Sequence, residues 1–135
     1  MPPDPSQLST AHAWIKRARS NLARAHQPKP EEVFWEDLCF DTQQAVEKSL
    51  KAVLLARGIP FRFVHDIAEL LTNLQNSDVC LPDEVLAAAG LTNYAVEARY
   101  PGAFESVTEE EFKEALRIAE AVVAWAESQV EKEIT

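Results

Sequence analysis

Three small groups of residues in this chain combine types that can hold an anion beside an amide or an aromatic ring. Gln44, Lys48 and Lys51 follow one another at four- and three-residue steps, so on a helix they share one strip. An ammonium and a carboxamide on one strip can hold a phosphate and a base edge. The strip has a plainer use as a solvated face, since Glu47 precedes Lys51 by four residues in the favourable order for an ion pair. His65 stands directly before Asp66, at the positive end of a coming helix where an anion can bind. It can equally pack or bond to backbone at the helix entry. Arg99 and Tyr100 precede the stop Pro101-Gly102, where guanidinium and ring can grip a phosphate and a base, or stabilise terminal carbonyls and pack.

Other chemistries lack their residues. A di-metal helical bundle needs carboxylates with Glu-x-x-His pairs, and no histidine here follows a glutamate at that spacing. Zinc spacings, Gly-rich phosphate loops and the Gly-x-Ser-x-Gly elbow are also absent, so neither a metal nor a cofactor is expected. Cys39 and Cys80 are too few for a disulfide scaffold and are expected to pack as small hydrophobes in a reducing compartment. The formal charge of −9 repels phosphate over the average surface, which disfavours an extended nucleic-acid groove and makes any nucleotide site local. No apolar run approaches the roughly 18 residues of a membrane span, and MPPDPSQ has no signal-peptide character. A cytoplasmic location is the expectation.

The elements that must position these residues are helices. Trp14, Ile15, Ala18, Leu22 and Ala25 recur at helical steps from Thr10 to about Gln27, ahead of Pro28 and Pro30. A second and longest helix is predicted over Glu31 to Arg57, closed by Gly58, with Phe34, Trp35, Leu38, Cys39, Ala45, Val46, Leu50, Val53 and Leu54 on a wide apolar arc. Its opposite strip carries Asp37, Asp41, Gln44, Lys48 and Lys51, interrupted by Phe40 and Leu55, two exceptions that hint at a partner surface. Asp66 caps a short helix through Leu74; another runs from Pro82 or Asp83 to about Arg99. Thr108 and Glu111 have capping-box spacing before the last helix, whose apolar stripe runs from Phe112 to Val130. Trp14, Trp35 and Trp125 fall on or beside three apolar stripes and are expected in the core or in a dimer interface. The fold class is therefore all-α, an up-and-down bundle of about five helices with long second and last members. One domain over 1–135 is expected, with a flexible Pro-containing N-terminus at 1–8.

The blocks CFDTQQAVEKSLKAVLLARG (39–58), VHDIAELL (64–71) and NYAVEARYPG (93–102) together resemble the HEPN family, helical domains associated with nucleotides in higher eukaryotes and prokaryotes. The resemblance covers about half of the chain. It implies a helical bundle that commonly forms a homodimer, with a minimal nucleotidyltransferase as a frequent operon partner and a toxin–antitoxin module as one setting. Many members are metal-independent ribonucleases that use an arginine followed four to six residues later by a histidine where two subunits meet. Such a pair can polarise a ribose 2′-hydroxyl and stabilise charge on the phosphate. This sequence departs from that pattern, since no histidine follows Arg99. One match in spacing exists elsewhere: Arg19 and His26 have six residues between them on the first helix.

The reading that follows is a non-catalytic HEPN-like protein that binds a nucleotide or partners a nucleotidyltransferase. Gln44, Lys48, Lys51, His65, Arg99 and Tyr100 are its candidate ligand-binding residues. The rivals are a toxin-like ribonuclease using Arg19 and His26, and a purely structural interaction module.

Overall fold

The computed structural model describes residues 4–62, 65–91 and 107–134. Among these residues lie five α-helices: α1 (Pro5–Ala25), α2 (Trp35–Ala56), α3 (Ile67–Asn76), α4 (Asp83–Leu86) and α5 (Glu109–Ile134). A 3-10 helix, Ala87–Leu91, continues directly from α4. No strand occurs among the described residues.

Most helix ends follow from local chemistry. Asp66 accepts from the amides of Ala68 and Glu69 at 3.0 and 3.4 Å, capping α3. Thr108 and Glu111 bond reciprocally before α5: the Glu111 amide donates to Thr108 Oγ1 at 3.1 Å and the Thr108 amide to Glu111 Oε1 at 3.3 Å. At the far end of α2 the Ile59 amide reaches back to the Leu54 carbonyl and the Gly58 amide to that of Leu55. That double bond needs a left-handed residue, which Gly58 supplies at φ 67°. Asp78 takes the same role after α3 at φ 62°.

Three boundaries differ from the sequence expectation. The first helix begins at Pro5, not Thr10, because Asp4 and Gln7 form a reciprocal cap and Pro5 suits the first helical position. Pro5–Leu8 are thus helical within the stretch 1–8 expected to be flexible. The second helix begins at Trp35, since Glu31 to Val33 turn and the Asp37 carboxylate accepts from the Phe34 amide at the entry. It is also not the longest, with 22 residues against 26 in α5. The fourth helix is α-helical for only four residues before tightening to 3-10; its expected continuation to Arg99 lies outside the described residues.

α2 is the central element. Fifteen of its residues are buried, which its apolar arc alone cannot account for. α5 runs in the same direction along one side: Trp35 stacks on Phe112 with ring centroids 5.1 Å apart near one end, and Arg57 donates to Gln129 at 2.6 Å near the other. The buried stripe of α5, from Phe112 through Ala115, Ala119, Val122, Val123 and Ala126 to Val130, is apolar throughout. α1 crosses antiparallel on the remaining side, pairing Arg24 with Asp41 at one end and Trp14 with Lys51 at the other. Phe34, placed on the apolar arc by sequence, is 68 % exposed because it precedes the helix and the arc does not extend to it. Cys39 is buried as expected, whereas Cys80 is exposed in the connection before α4.

Candidate functional site

Two polar stripes meet along the α1–α2 seam. On α1 they are Thr10, Trp14, Arg17, Asn21 and Arg24, and on α2 Asp41, Gln44, Lys48 and Lys51, each set at alternating steps of three and four residues. The α2 strip is therefore covered by a neighbouring helix, not left as a solvated face. Asp41, Glu47 and Lys51 are buried with it.

Buried charge is tolerated only when paired and hydrogen-bonded, and the seam satisfies that demand in two linked groups. In the first, Lys48 Nζ donates to Asn21 Oδ1 at 2.8 Å and Asn21 Nδ2 donates to Asp41 Oδ1 at 3.0 Å. Arg24 Nε stands 3.6 Å from the other Asp41 oxygen. In the second, the Glu47 carboxylate lies within reach of Lys51 Nζ at 3.6 Å, Gln43 Nε2 at 3.3 Å and His65 Nδ1, 3.1 Å from both oxygens. Gln44 joins that group by donating to Gln43 at 3.2 Å. Trp14 makes a cation–π contact with the Lys51 ammonium, 5.8 Å from ring centre to nitrogen.

Beside these groups opens a groove of ≈ 490 Å³ lined by Thr10, Ala13, Trp14, Arg17 and Lys48. Burial holds the Lys48 ammonium below the usual lysine range, and the like charge of Arg17 adds to the effect. Arg17 makes no hydrogen bond or ion pair with any described residue, so two cations face one groove with an aromatic ring and a hydroxyl. An anion entering there relieves the repulsion between them. A larger groove of ≈ 820 Å³ lies at the other end of the seam, lined by Pro28, Pro30, Val33 and Phe40 among others and by the carboxylates of Asp37 and Asp41. Its size exceeds the first, yet its two carboxylates face a single cation, Arg24, whereas the smaller groove has two cations and no carboxylate and is the better anion site.

Of the residues singled out from sequence, the fold brings Gln44, Lys48 and Lys51 onto one seam, sets His65 beside it before α3, and gives them different partners. Lys48 alone lines the cationic groove. Lys51 and His65 are both committed to Glu47, and the donors at the α3 N-terminus are taken by the Asp66 carboxylate, so His65 faces a carboxylate in place of a free anion site. Arg99 and Tyr100 lie outside the described residues. Arg19 and His26 do not converge: Arg19 makes a two-point contact with Glu127, and His26 Nε2 is 2.9 Å from Glu120. Seven helical steps separate them by roughly 10 Å along the axis of α1.

Trp14, Arg17, Asn21 and Asp41 were not legible as a site. Trp14 reads as a core or interface residue, and the structure does pack it partly against the core. The available signal was the repeating three-four spacing of a second, polar stripe on α1, which only has meaning once its partner helix is known. Among the described residues no group of three or more His, Cys, Asp or Glu side chains could hold a metal ion. No described helix is long and apolar enough to cross a membrane.

Comparison with known proteins gives two matches. The family model of the HEPN domain matches residues 11–129. The crystal structure of an archaeal HEPN homologue is similar with a TM-score of 0.70 and 30% sequence identity, covering 89% of this chain and 97% of that one. No curated protein matches the chain.

Proposed function

Because the chain belongs to the HEPN domain family, we propose that it binds a nucleotide without cleaving it, in the groove between α1 and α2. The observation that carries this reading is the pair Arg17 and Lys48, two cations that line or border one groove beside Trp14 with no carboxylate among its lining residues. Arginine and lysine donate charge-assisted bonds to phosphate, and the indole offers a face for a base. Binding without cleavage is favoured because the lining residues include no histidine or carboxylate to take a proton from a ribose hydroxyl. Arg19 and His26, the pair with ribonuclease-like spacing, are each engaged by a different glutamate of α5.

Calorimetric titration of the purified protein with ATP, GTP and a short RNA tests the reading. Heat on adding a mononucleotide, lost in Arg17→Gln with Lys48→Met, is the expected result. No heat with any of the three contradicts it, and RNA cleavage in EDTA that disappears in His26→Ala would replace it with the ribonuclease reading.

A protein-binding role has its own support in Phe34, a large apolar side chain 68 % exposed and next in sequence to Val33, which lines the larger groove. The proposed partners are a second copy of the chain and a minimal nucleotidyltransferase. Sedimentation of the wild type against Phe34→Ser tests the first: a dimer weakened by the substitution is expected, and a monomer at all concentrations rules it out. Co-purification with a nucleotidyltransferase encoded beside the gene tests the second.

A further inference from the structure

The Lys48 ammonium enters the cationic groove already held from behind. Its Nζ donates to Asn21 Oδ1 at 2.8 Å, and Asn21 is only 7 % exposed, with its Nδ2 donating to the 4 % exposed Asp41. The carboxamide can face only one way. Turned over, it would set its NH₂ against an ammonium and its oxygen against a carboxylate, two repulsions in place of two bonds. Asp41 therefore fixes the direction of Asn21, and Asn21 fixes the position of Lys48. Neither Asn21 nor Asp41 lines the cationic groove.

We propose that Asn21 and Asp41 are positioning residues of the anion groove, and that the placement of Lys48 they impose selects a terminal phosphate monoester over a phosphodiester. The inference rests on the nucleotide-binding reading above. An ammonium has three donors, and Asn21 takes one, leaving two for a ligand across the groove from the Arg17 fork. Two positive charges, the Lys48 ammonium held by Asn21 and the exposed Arg17 guanidinium, match the two negative charges of a terminal phosphate. A diester brings one charge and leaves one cation unneutralised. Arg24 and Glu47 also act on Lys48, as a like and an opposite charge respectively, but neither lines this groove.

The sign of one substitution separates positioning from simple electrostatics. Asp41→Asn removes a negative charge near an anion site, which by Coulomb attraction alone should tighten anion binding. It also lets the Asn21 carboxamide turn over and release Lys48, which should weaken binding. Calorimetry with adenosine monophosphate and 3′,5′-cyclic adenosine monophosphate, on wild type and Asp41→Asn, reads the difference. The wild type is expected to bind the monoester about tenfold more tightly than the cyclic diester, and Asp41→Asn to lose about tenfold for the monoester and bring the ratio near one. Arg117→Gln, which removes an exposed ion pair with Glu114 on α5, leaves the ratio unchanged. Should Asp41→Asn fail to fold, Lys48→Arg keeps the charge, changes its placement and is expected to lose the ratio too. Tighter monoester binding by Asp41→Asn, or equal wild-type affinity for the two ligands, overturns the inference while nucleotide binding stands. Absence of binding to either ligand overturns both.

Discussion

α2 is covered on two sides by seams of opposite character. Toward α5 the contacts are apolar, from the Trp35–Phe112 stack through Val122 and Val123 to Val130, and polar pairs lie only along the edges. Toward α1 the same helix turns inward Asp41, Lys48 and Lys51, each matched by a bond or a ring from α1, and Glu47 beside them holds Lys51. The apolar seam gains stability from area removed from water, whereas buried charge is at best close to neutral for stability. A protein that needed only to fold could have made both seams alike. The polar one is where chemistry can be done, since it holds charges at set positions with their desolvation already met.

The comparison breaks most visibly if the apolar seam is not the main source of stability. Leu50, fully buried on α2, should cost about 2–5 kcal/mol when changed to Ala, read by denaturant unfolding, with nucleotide affinity preserved in the folded fraction. Next in size is Glu47→Gln, which leaves Lys51 buried without its counter-charge and should destabilise by about 3 kcal/mol. A loss as small as that of a surface residue would mean that the seam is wetter than its burial implies.

A third effect is on binding and depends on pH. The charged form of Lys48 is disfavoured in the folded protein, first by burial and then by Arg17, so its proton leaves below the ordinary value of 10.5. Folding therefore gains stability as the pH rises through that window, while nucleotide affinity falls as the ammonium is lost. Lys48→Arg should flatten the affinity profile over the same range, and an unchanged profile would detach Lys48 from the ligand. The smallest effect belongs to the edge of the bundle: Arg19→Gln removes a half-exposed pair with Glu127 and should change stability by less than about 1 kcal/mol.

How far each seam could be read in advance follows from the same contrast. Periodicity finds apolar stripes, so α1, α2, α3 and α5 and the caps at Asp66, Thr108 and Gly58 were legible. The N-terminal turn of α1 was not, because its Asp4–Gln7 cap precedes the first apolar repeat. A polar strip on a helical wheel says nothing of what covers it. Gln44, Lys48 and Lys51 could be placed on one face, but that α1 would lie across them, burying Lys51 and spending it on Glu47, depends on the packing of a second helix. Cys80 illustrates the converse, a residue type that usually packs but stands exposed in the connection between α3 and α4.

The proposed nucleotide site joins Trp14, Arg17 and Lys48 on the polar seam. Trp35→Phe with Trp125→Phe leaves Trp14 as the single tryptophan of the three in the chain. Titrating that variant with a mononucleotide while following indole fluorescence should give a saturable change that is lost when Arg17→Gln and Lys48→Met are added. Nucleotide binding by calorimetry with no change in Trp14 fluorescence would place the ligand elsewhere and contradict the account.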